Sequence, residues 1–202
     1  MALIRAAVPK IEISESGGNS FARAIMTTDT NPKEAAISYV YDERKVVIGG
    51  VVKGSGMIHP NMATMLAFLS TDAPVDADFL QDAISESADF SFNMITIDGD
   101  TSTNDTVLLL ANGAAGGPTI KKGSKEASLF KEALRELCIV LAKEIVRDGE
   151  GASKLFEVTV GGAVNDEDAR IGARAIASSS LVKTAVYGSD PNWGRIIAAL
   201  GR

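Results

Sequence analysis

The sequence predicts an α+β fold of mixed, layered sheets and helices. Short strand-like segments dominate its first half, and the longest helical pattern follows them. Strands and helices do not alternate regularly, which disfavours a doubly wound parallel sheet. The 202 residues are 46% hydrophobic and 23% charged, a composition typical of globular proteins that bury a sizeable core.

The strands are predicted from alternating apolar residues and from β-branched residues. The polar run DERK at 42–45 separates the first two of them, so we expect a hairpin there with one buried face. A third strand is expected to begin near Thr64. In chain order, the predicted strands are 37–42, 45–52, the segment TMLAFLSTD from Thr64, 92–98, 105–113 and 155–163.

The helices are predicted from apolar residues three and four positions apart and from capping residues before them. A Gly-rich connector at 113–124 and the segment RDGEGASK at 147–154 flank the longest helix and interrupt the helical pattern. Expected N-caps are Asp76, either Asn165 or Asp166, and either Asp190 or Asn192. The predicted helices are 74–88, 126–147, 165–182 and 189–200.

The charge balance excludes some classes of function. The net charge is −6 and the isoelectric point is near 4.9, whereas nucleic-acid binding requires a basic patch. No apolar run reaches the length of a membrane span, and the first residues lack the apolar core of a signal peptide. The lone Cys138 lies in a helical apolar pattern and predicts a packed core thiol. A cytoplasmic protein is therefore expected.

Several ligand motifs fail on their spacing. The segment GGVVKGSG at 49–56 lacks the order of a phosphate-binding loop, since its lysine precedes the Gly-Ser pair. The run 98–105 begins like a calcium loop but has Thr103 at the glycine position. His59 is the only histidine, so neither a multi-histidine metal site nor a Ser-His-Asp triad is convincing. No metal or organic cofactor is predicted.

Thr64 is a candidate nucleophile. A threonine hydroxyl needs a neighbouring base, and its own α-amino group, with a pKa near 8, can serve if threonine is an N-terminus. This would require cleavage of the Ala63–Thr64 bond, and the small Ala63 leaves its carbonyl open to attack. From the spacing alone, however, a plain junction between loop and strand is the better interpretation.

The segment KGSGMIHPNMATMLAFLSTDA resembles the cleavage site of the ornithine acetyltransferase family, in which many members are also N-acetylglutamate synthases. Four further segments resemble family segments in the same order, and together they cover nearly the whole chain from about residue 20. These are ARAIMTTDTNPKEAA at 22–36, NMITIDGDTSTNDT at 93–106, EIVRDGEGASK at 144–154 and VYGSDPNWGRIIAALGR at 186–202.

This resemblance implies a self-cleaving enzyme of arginine biosynthesis that needs no cofactor. Residues 1–63 would end an α subunit and residues 64–202 would begin a β subunit, the two remaining together as a heterotetramer. Thr64 would carry acetyl from N-acetylornithine to glutamate, and some family members also use acetyl-CoA. Thr27, Lys53 and Glu150 match substrate-contacting positions, although Thr28 and Thr30 compete with Thr27.

The residue types suit these roles. The Lys53 cation can hold an α-carboxylate, Glu150 can hold an ammonium group or assist proton transfer, and Thr27 can donate or accept a hydrogen bond. A surface lysine, a solvated glutamate and a capping threonine are the structural alternatives. The functional interpretation is favoured for Lys53 and Glu150, which lie among glycines.

Two family segments have no counterpart in this sequence. One carries the Thr-Gly pair of the oxyanion hole, and the other is a C-terminal segment whose Asn and Thr close over the substrate. We therefore expect the chain to be an internal piece of such an enzyme, weakly active or inactive alone. Two alternatives remain: an N-terminal-nucleophile hydrolase of the aminopeptidase or amidase type, and an inactive, uncleaved fragment.

Overall fold

The computed structural model describes residues 1–59, 65–100 and 102–202. The predicted cleavage site, Ala63 and Thr64, lies outside them. In the described part, the helices and strands are α1 (Ala2–Ala7), α2 (Gly17–Ala24), β1 (Lys33–Tyr41), β2 (Arg44–Lys53), β3 (Leu66–Thr71), α3 (Ala77–Asp89), β4 (Thr106–Ala111), α4 (Ala127–Arg147), α5 (Asp166–Ala177), α6 (Ser180–Tyr187) and α7 (Trp193–Leu200).

The described strands form one mixed sheet in the order β1-β2-β3-β4. β1, β2 and β3 pair antiparallel, and β4 pairs parallel to β3. The predicted hairpin is confirmed: Tyr41 pairs with Arg44, and both residues between them have positive φ, as a type I′ hairpin turn requires. With its helices, this sheet confirms the α+β class.

The main core lies between one sheet face and the helices α3 and α4. α4 packs on β1 and β2, and α3 packs on α4. The stripe predicted for the long helix is buried, with Leu134 and Leu141 fully excluded from solvent. Cys138 is also fully buried, and burial raises the pKa of its thiol to about 12, which confirms a packed core residue. On the opposite sheet face, Phe21 of α2 packs edge-on against Phe68.

The predicted caps are observed where a helix begins. Asp76 accepts a hydrogen bond from Phe79 N–H at the start of α3. Of the two alternatives before α5, Asn165 is the cap, and of the two before α7, Asn192 is the cap. The helix predicted at 165–182 is instead two helices, because Ser179 adopts an extended conformation and its hydroxyl caps α6.

The strand prediction for 92–98 is wrong. Residues Phe92–Met94 form a turn of 3-10 helix instead, and Phe92 is buried in the main core. Ile97 N–H donates to the Ile58 carbonyl at 2.7 Å, a single contact rather than a strand ladder. Residues 93–97 are all partly buried rather than alternately buried and exposed, so the alternating sequence pattern here does not correspond to a strand.

The strand prediction for 155–163 is also wrong. Side-chain burial alternates along residues 155–160. The partly buried Phe156 and Val158 pack on a second apolar cluster, which consists of Ile176, Val182 and Ala199. A strand needs a neighbour that accepts and donates its backbone hydrogen bonds. In the part of the chain that the structure describes, no strand pairs with this segment.

Hydrogen bonds connect the C-terminal helices to the main body. Arg174 of α5 donates to the Asn93 carbonyl at 3.0 Å, and Lys183 of α6 donates to the Ile97 carbonyl. Within the described ranges, no helix is long and apolar enough to cross a membrane.

Candidate functional site

Lys53 and Thr27 are in direct contact. Lys53 is the last residue of β2 and is almost fully buried, with 6% of its surface exposed. Its Nζ donates a hydrogen bond of 2.8 Å to Thr27 Oγ1, which lies in the loop after α2. An ammonium group has three protons to donate, so this bond leaves Lys53 able to bind an anionic group as well. The structure thus joins two residues that the sequence separates by 26 positions.

The neighbouring threonines have different partners. Thr28 Oγ1 lies 2.6 Å from Ser55 Oγ, and Thr30 binds the carboxylate of Asp148 through both its amide and its hydroxyl. Among the described contacts, Thr27 is therefore the threonine of this loop that meets Lys53. This geometry favours Thr27 over the two competitors.

Glu150 lies close to the loop that follows β2. Its amide donates to the Ser55 carbonyl at 2.8 Å, which fixes the turn after α4 against that loop. Its carboxylate lies over Gly56, where an added Cβ would be 2.8 Å from Glu150 Oε1. Glycine at position 56 therefore allows this approach. Glu150 itself is exposed and free to contact a ligand.

A cavity of about 770 Å³ opens beside Glu150. Its walls include His59, Ile97, Leu155 and Lys183. Of the three described residues predicted to bind substrate, only Glu150 lines it. The contact between Lys53 and Thr27 therefore lies outside this cavity. The hydrogen bond between Glu150 and Ser55 links the cavity wall to the loop that follows Lys53.

His59 is held as a neutral packing residue. Its Nδ1 lies 3.0 Å from Thr96 Oγ1. Burial lowers the pKa of His59, and the nearby cations Arg174 and Lys183 lower it further. The described ranges contain no group of three or more His, Cys, Asp and Glu side chains placed to hold a metal ion.

Asp105 is a further candidate residue of the site, and the sequence analysis does not identify it. Its Oδ1 accepts a hydrogen bond of 2.6 Å from the amide of Met65, the residue that follows Thr64. The next amide, Thr106 N–H, donates to the Met65 carbonyl at 3.0 Å. Burial raises the pKa of Asp105, although this hydrogen bond and the charge of Lys53 act to lower it.

Strand pairing explains why Asp105 was missed. β3 pairs with β4 so that Leu66 lies opposite Thr106, and β2 pairs with β3 so that Lys53 lies opposite the same Leu66. Asp105 and Lys53 therefore lie at the strand ends next to Met65, and Thr27 is bonded to Lys53. Glu150 is bonded instead to the loop after β2. The sequence around Asp105 shows only an aspartate before a strand, which does not indicate that this carboxylate binds the Met65 amide.

The comparisons with known proteins agree over the whole chain. A family model described as the ArgJ family matches residues 1–202. The protein named arginine biosynthesis bifunctional protein ArgJ from Dehalococcoides mccartyi is 56% identical over 98% of this chain and 49% of its own length. The protein of that name from Symbiobacterium thermophilum is 59% identical over the same shares.

A solved structure agrees with these relatives. The crystal structure of an arginine biosynthesis bifunctional protein ArgJ from Bacillus halodurans is 51% identical, with a TM-score of 0.65 over 66% of this chain and 63% of that chain. The chain spans about half the length of the curated relatives it matches. Because the family model matches every residue, this chain belongs to the ArgJ family.

Proposed function

We propose that the gene product carrying this chain transfers acetyl from N-acetylornithine to glutamate through an acetyl ester on Thr64. Such a reaction fits the relatives' name, which assigns them to arginine biosynthesis and calls them bifunctional. As the second activity we propose acetyl-CoA-dependent synthesis of N-acetylglutamate, which is consistent with the word bifunctional in that name. We expect the enzyme to act in the cytoplasm.

The observation that carries the proposal is the hydrogen bond from Lys53 to Thr27. The family resemblance matches both residues to substrate-contacting positions, in segments that are far apart in sequence. In the described hydrogen bonds, Lys53 donates to no carboxylate. This buried lysine therefore has protons available for the α-carboxylate of an amino acid. Both N-acetylornithine and glutamate carry such a carboxylate.

In the first half-reaction, the Thr64 hydroxyl attacks the acetyl carbonyl of N-acetylornithine. The α-amine of Thr64, freed by cleavage after Ala63, takes the hydroxyl proton and passes it to the departing nitrogen of ornithine. The C–N bond breaks as the ester C–O bond forms. Ornithine leaves, and the acetyl group stays on Thr64.

In the second half-reaction, the α-amine of glutamate attacks the ester carbonyl. A C–N bond forms, the ester C–O bond breaks, and a proton from the amine returns to the Thr64 oxygen. Lys53 would hold the α-carboxylate in both half-reactions. Glu150 would hold the side-chain ammonium of ornithine, a group that glutamate lacks.

Cleavage would divide the precursor into an α subunit ending with residues 1–63 and a β subunit beginning with residues 64–202. We expect the two subunits to remain associated and to pair into a heterotetramer. The pairing of β2 with β3 supports the association of the two subunits, because it joins strands on the two sides of the proposed cut. The hydrogen bond of Met65 to Asp105 would hold the new chain end against β4.

The test combines N-terminal sequencing with an acetyl-transfer assay on the complete gene product that carries these residues. We expect the wild type to yield a chain beginning TMLAF and to form N-acetylglutamate. Thr64→Ala should do neither, whereas the exposed-threonine control Thr159→Ala should do both. Acetyl transfer by Thr64→Ala would refute the mechanism. Release of acetate without N-acetylglutamate would instead identify a hydrolase.

A further inference from the structure

A buried ion cluster joins three segments: the loop with Thr27, the end of β2 with Lys53 and the turn with Glu150. The cluster consists of Lys33, the first residue of β1, and the carboxylates of Asp29 and Asp148. Lys33 Nζ lies 2.6 Å from Asp29 Oδ1 and 2.5 Å from Asp148 Oδ2. One cation is therefore shared by two carboxylates from distant parts of the sequence.

The Asp29 side of the cluster holds the Thr27 and Lys53 backbones. Asp29 Oδ2 accepts a hydrogen bond of 3.1 Å from Thr27 N–H. Asp29 Oδ1 accepts one of 2.8 Å from the amide of Gly54, the residue that directly follows Lys53. Each oxygen of this carboxylate thus accepts a hydrogen bond from a backbone amide at, or directly after, a residue of the proposed substrate site.

The Asp148 side holds the loop that carries Glu150. Asp148 is the C-cap residue of α4, two residues before Glu150. Its Oδ2 accepts a hydrogen bond of 3.0 Å from Thr30 N–H, and its Oδ1 accepts one from the Thr30 hydroxyl. The loop after α4 is thereby bonded to the loop before β1.

The cluster is buried and fully paired. The exposed fractions of the three side chains are 2% for Lys33, 1% for Asp29 and 9% for Asp148. Burial disfavours the charged carboxylates, but hydrogen bonds led by Lys33 outweigh it, so the pKa of Asp29 is lowered and that of Asp148 falls to about 2. Both carboxylates are therefore ionised at neutral pH, where each can pair with Lys33.

We propose that the cluster of Asp29, Lys33 and Asp148 positions the substrate-binding residues, with each carboxylate controlling a different part of the site. Asp29 orients Thr27 and Lys53, and Asp148 orients Glu150. The inference rests on the proposed function, since it uses the assignment of Lys53 to the α-carboxylate and of Glu150 to the ornithine ammonium. None of the three cluster residues touches substrate, so they are positioning residues.

This division predicts different substrate effects for two isosteric variants. Asp29→Asn leaves only one oxygen to accept hydrogen bonds, so Thr27 or Gly54 loses its partner. Because both substrates carry an α-carboxylate, KM should rise about tenfold for N-acetylornithine and for glutamate. Asp148→Asn disturbs the Glu150 loop, so KM should rise about tenfold for N-acetylornithine and stay within about twofold for glutamate.

The control is Lys131→Met. This change breaks the ion pair between Lys131 of α4 and Glu86 of α3, which lies away from the three segments of the site. Its two KM values should match the wild type. Steady-state kinetics use the complete gene product, and circular dichroism confirms that each variant is folded. Each aspartate variant retains one carboxylate beside Lys33. The difference between the two substrates in Asp148→Asn separates positioning of Glu150 from a general loosening of the fold.

Equal KM changes for the two substrates in Asp148→Asn, or no change in either aspartate variant, would overturn the proposal. Such results would leave the proposed function standing as long as Thr64→Ala is inactive. Acetyl transfer by Thr64→Ala would instead overturn the proposed function. The two failures are therefore distinguishable.

Discussion

Gly56→Ala tests whether the position of the Glu150 carboxylate matters for catalysis. An added Cβ would lie 2.8 Å from Oε1, 2.9 Å from Cδ and 3.0 Å from Oε2 of Glu150. Ordinary contact distances begin near 3.5 Å, so the carboxylate must retreat by about 0.5–1 Å. Misplacement of a binding group by about 1 Å can cost about 100-fold in rate, and we therefore expect kcat/KM for N-acetylornithine to fall about 10- to 100-fold.

The same substitution should not destabilise the fold. Gly56 is not among the residues with positive φ, so alanine fits its backbone conformation. Alanine also reduces the freedom of the unfolded chain, which stabilises compatible sites by about 0.4–1 kcal/mol. The atoms that must move belong to the end of one flexible side chain. Thermal unfolding should thus show an unchanged or slightly higher Tm while activity is lost.

A double-mutant cycle with Glu150→Gln isolates the interaction. Once the charge is gone, Gly56→Ala should cost little more, because the two changes remove the same contact with substrate. The control is Gly161→Ala, since a Cβ there meets no atom within 4 Å. Wild-type kinetics for Gly56→Ala, or an equal loss in the Glu150→Gln background, would refute the reasoning.

Two further predictions concern stability. The Asp148 carboxyl has a pKa of about 2, below the ordinary 3.8, so it stabilises the fold above pH 4 and loses this contribution as the pH falls through 2. Asp148→Asn should therefore lower the free energy of unfolding at pH 7 and flatten its decline between pH 4 and 2 in urea titrations; parallel curves would contradict this. Leu141→Ala removes a fully buried side chain of the main core and should cost about 2–5 kcal/mol in urea unfolding, and a loss below about 1 kcal/mol would contradict the assigned packing.

Local features were predicted well because their causes lie within a few residues. The hairpin at Asp42 and Glu43, the cap at Asp76 and the apolar stripe of α4 all follow from short spacings. The segment 155–163 failed for the opposite reason. Its alternation predicts a strand, but a strand also needs a paired neighbour, and alternation alone cannot supply one.

The candidate site divides in the same way. The residues Thr27, Lys53 and Glu150 were found from motifs, and their chemical types suggested their roles. The sequence does not show where these three residues lie relative to one another. Nor does it show the contact of Asp105 with Met65, because strand register creates that contact.

By itself, the sequence determined the fold class, most element positions and the family to which its motifs point. Only the tertiary structure decided how the loops of the candidate site are held. The bond between Lys33 and Asp148 spans 115 positions and forms because β1 and α4 pack together in the main core. Helical period, capping and turn chemistry act over a few residues and leave a trace in sequence, whereas such a contact depends on the packing of the entire domain.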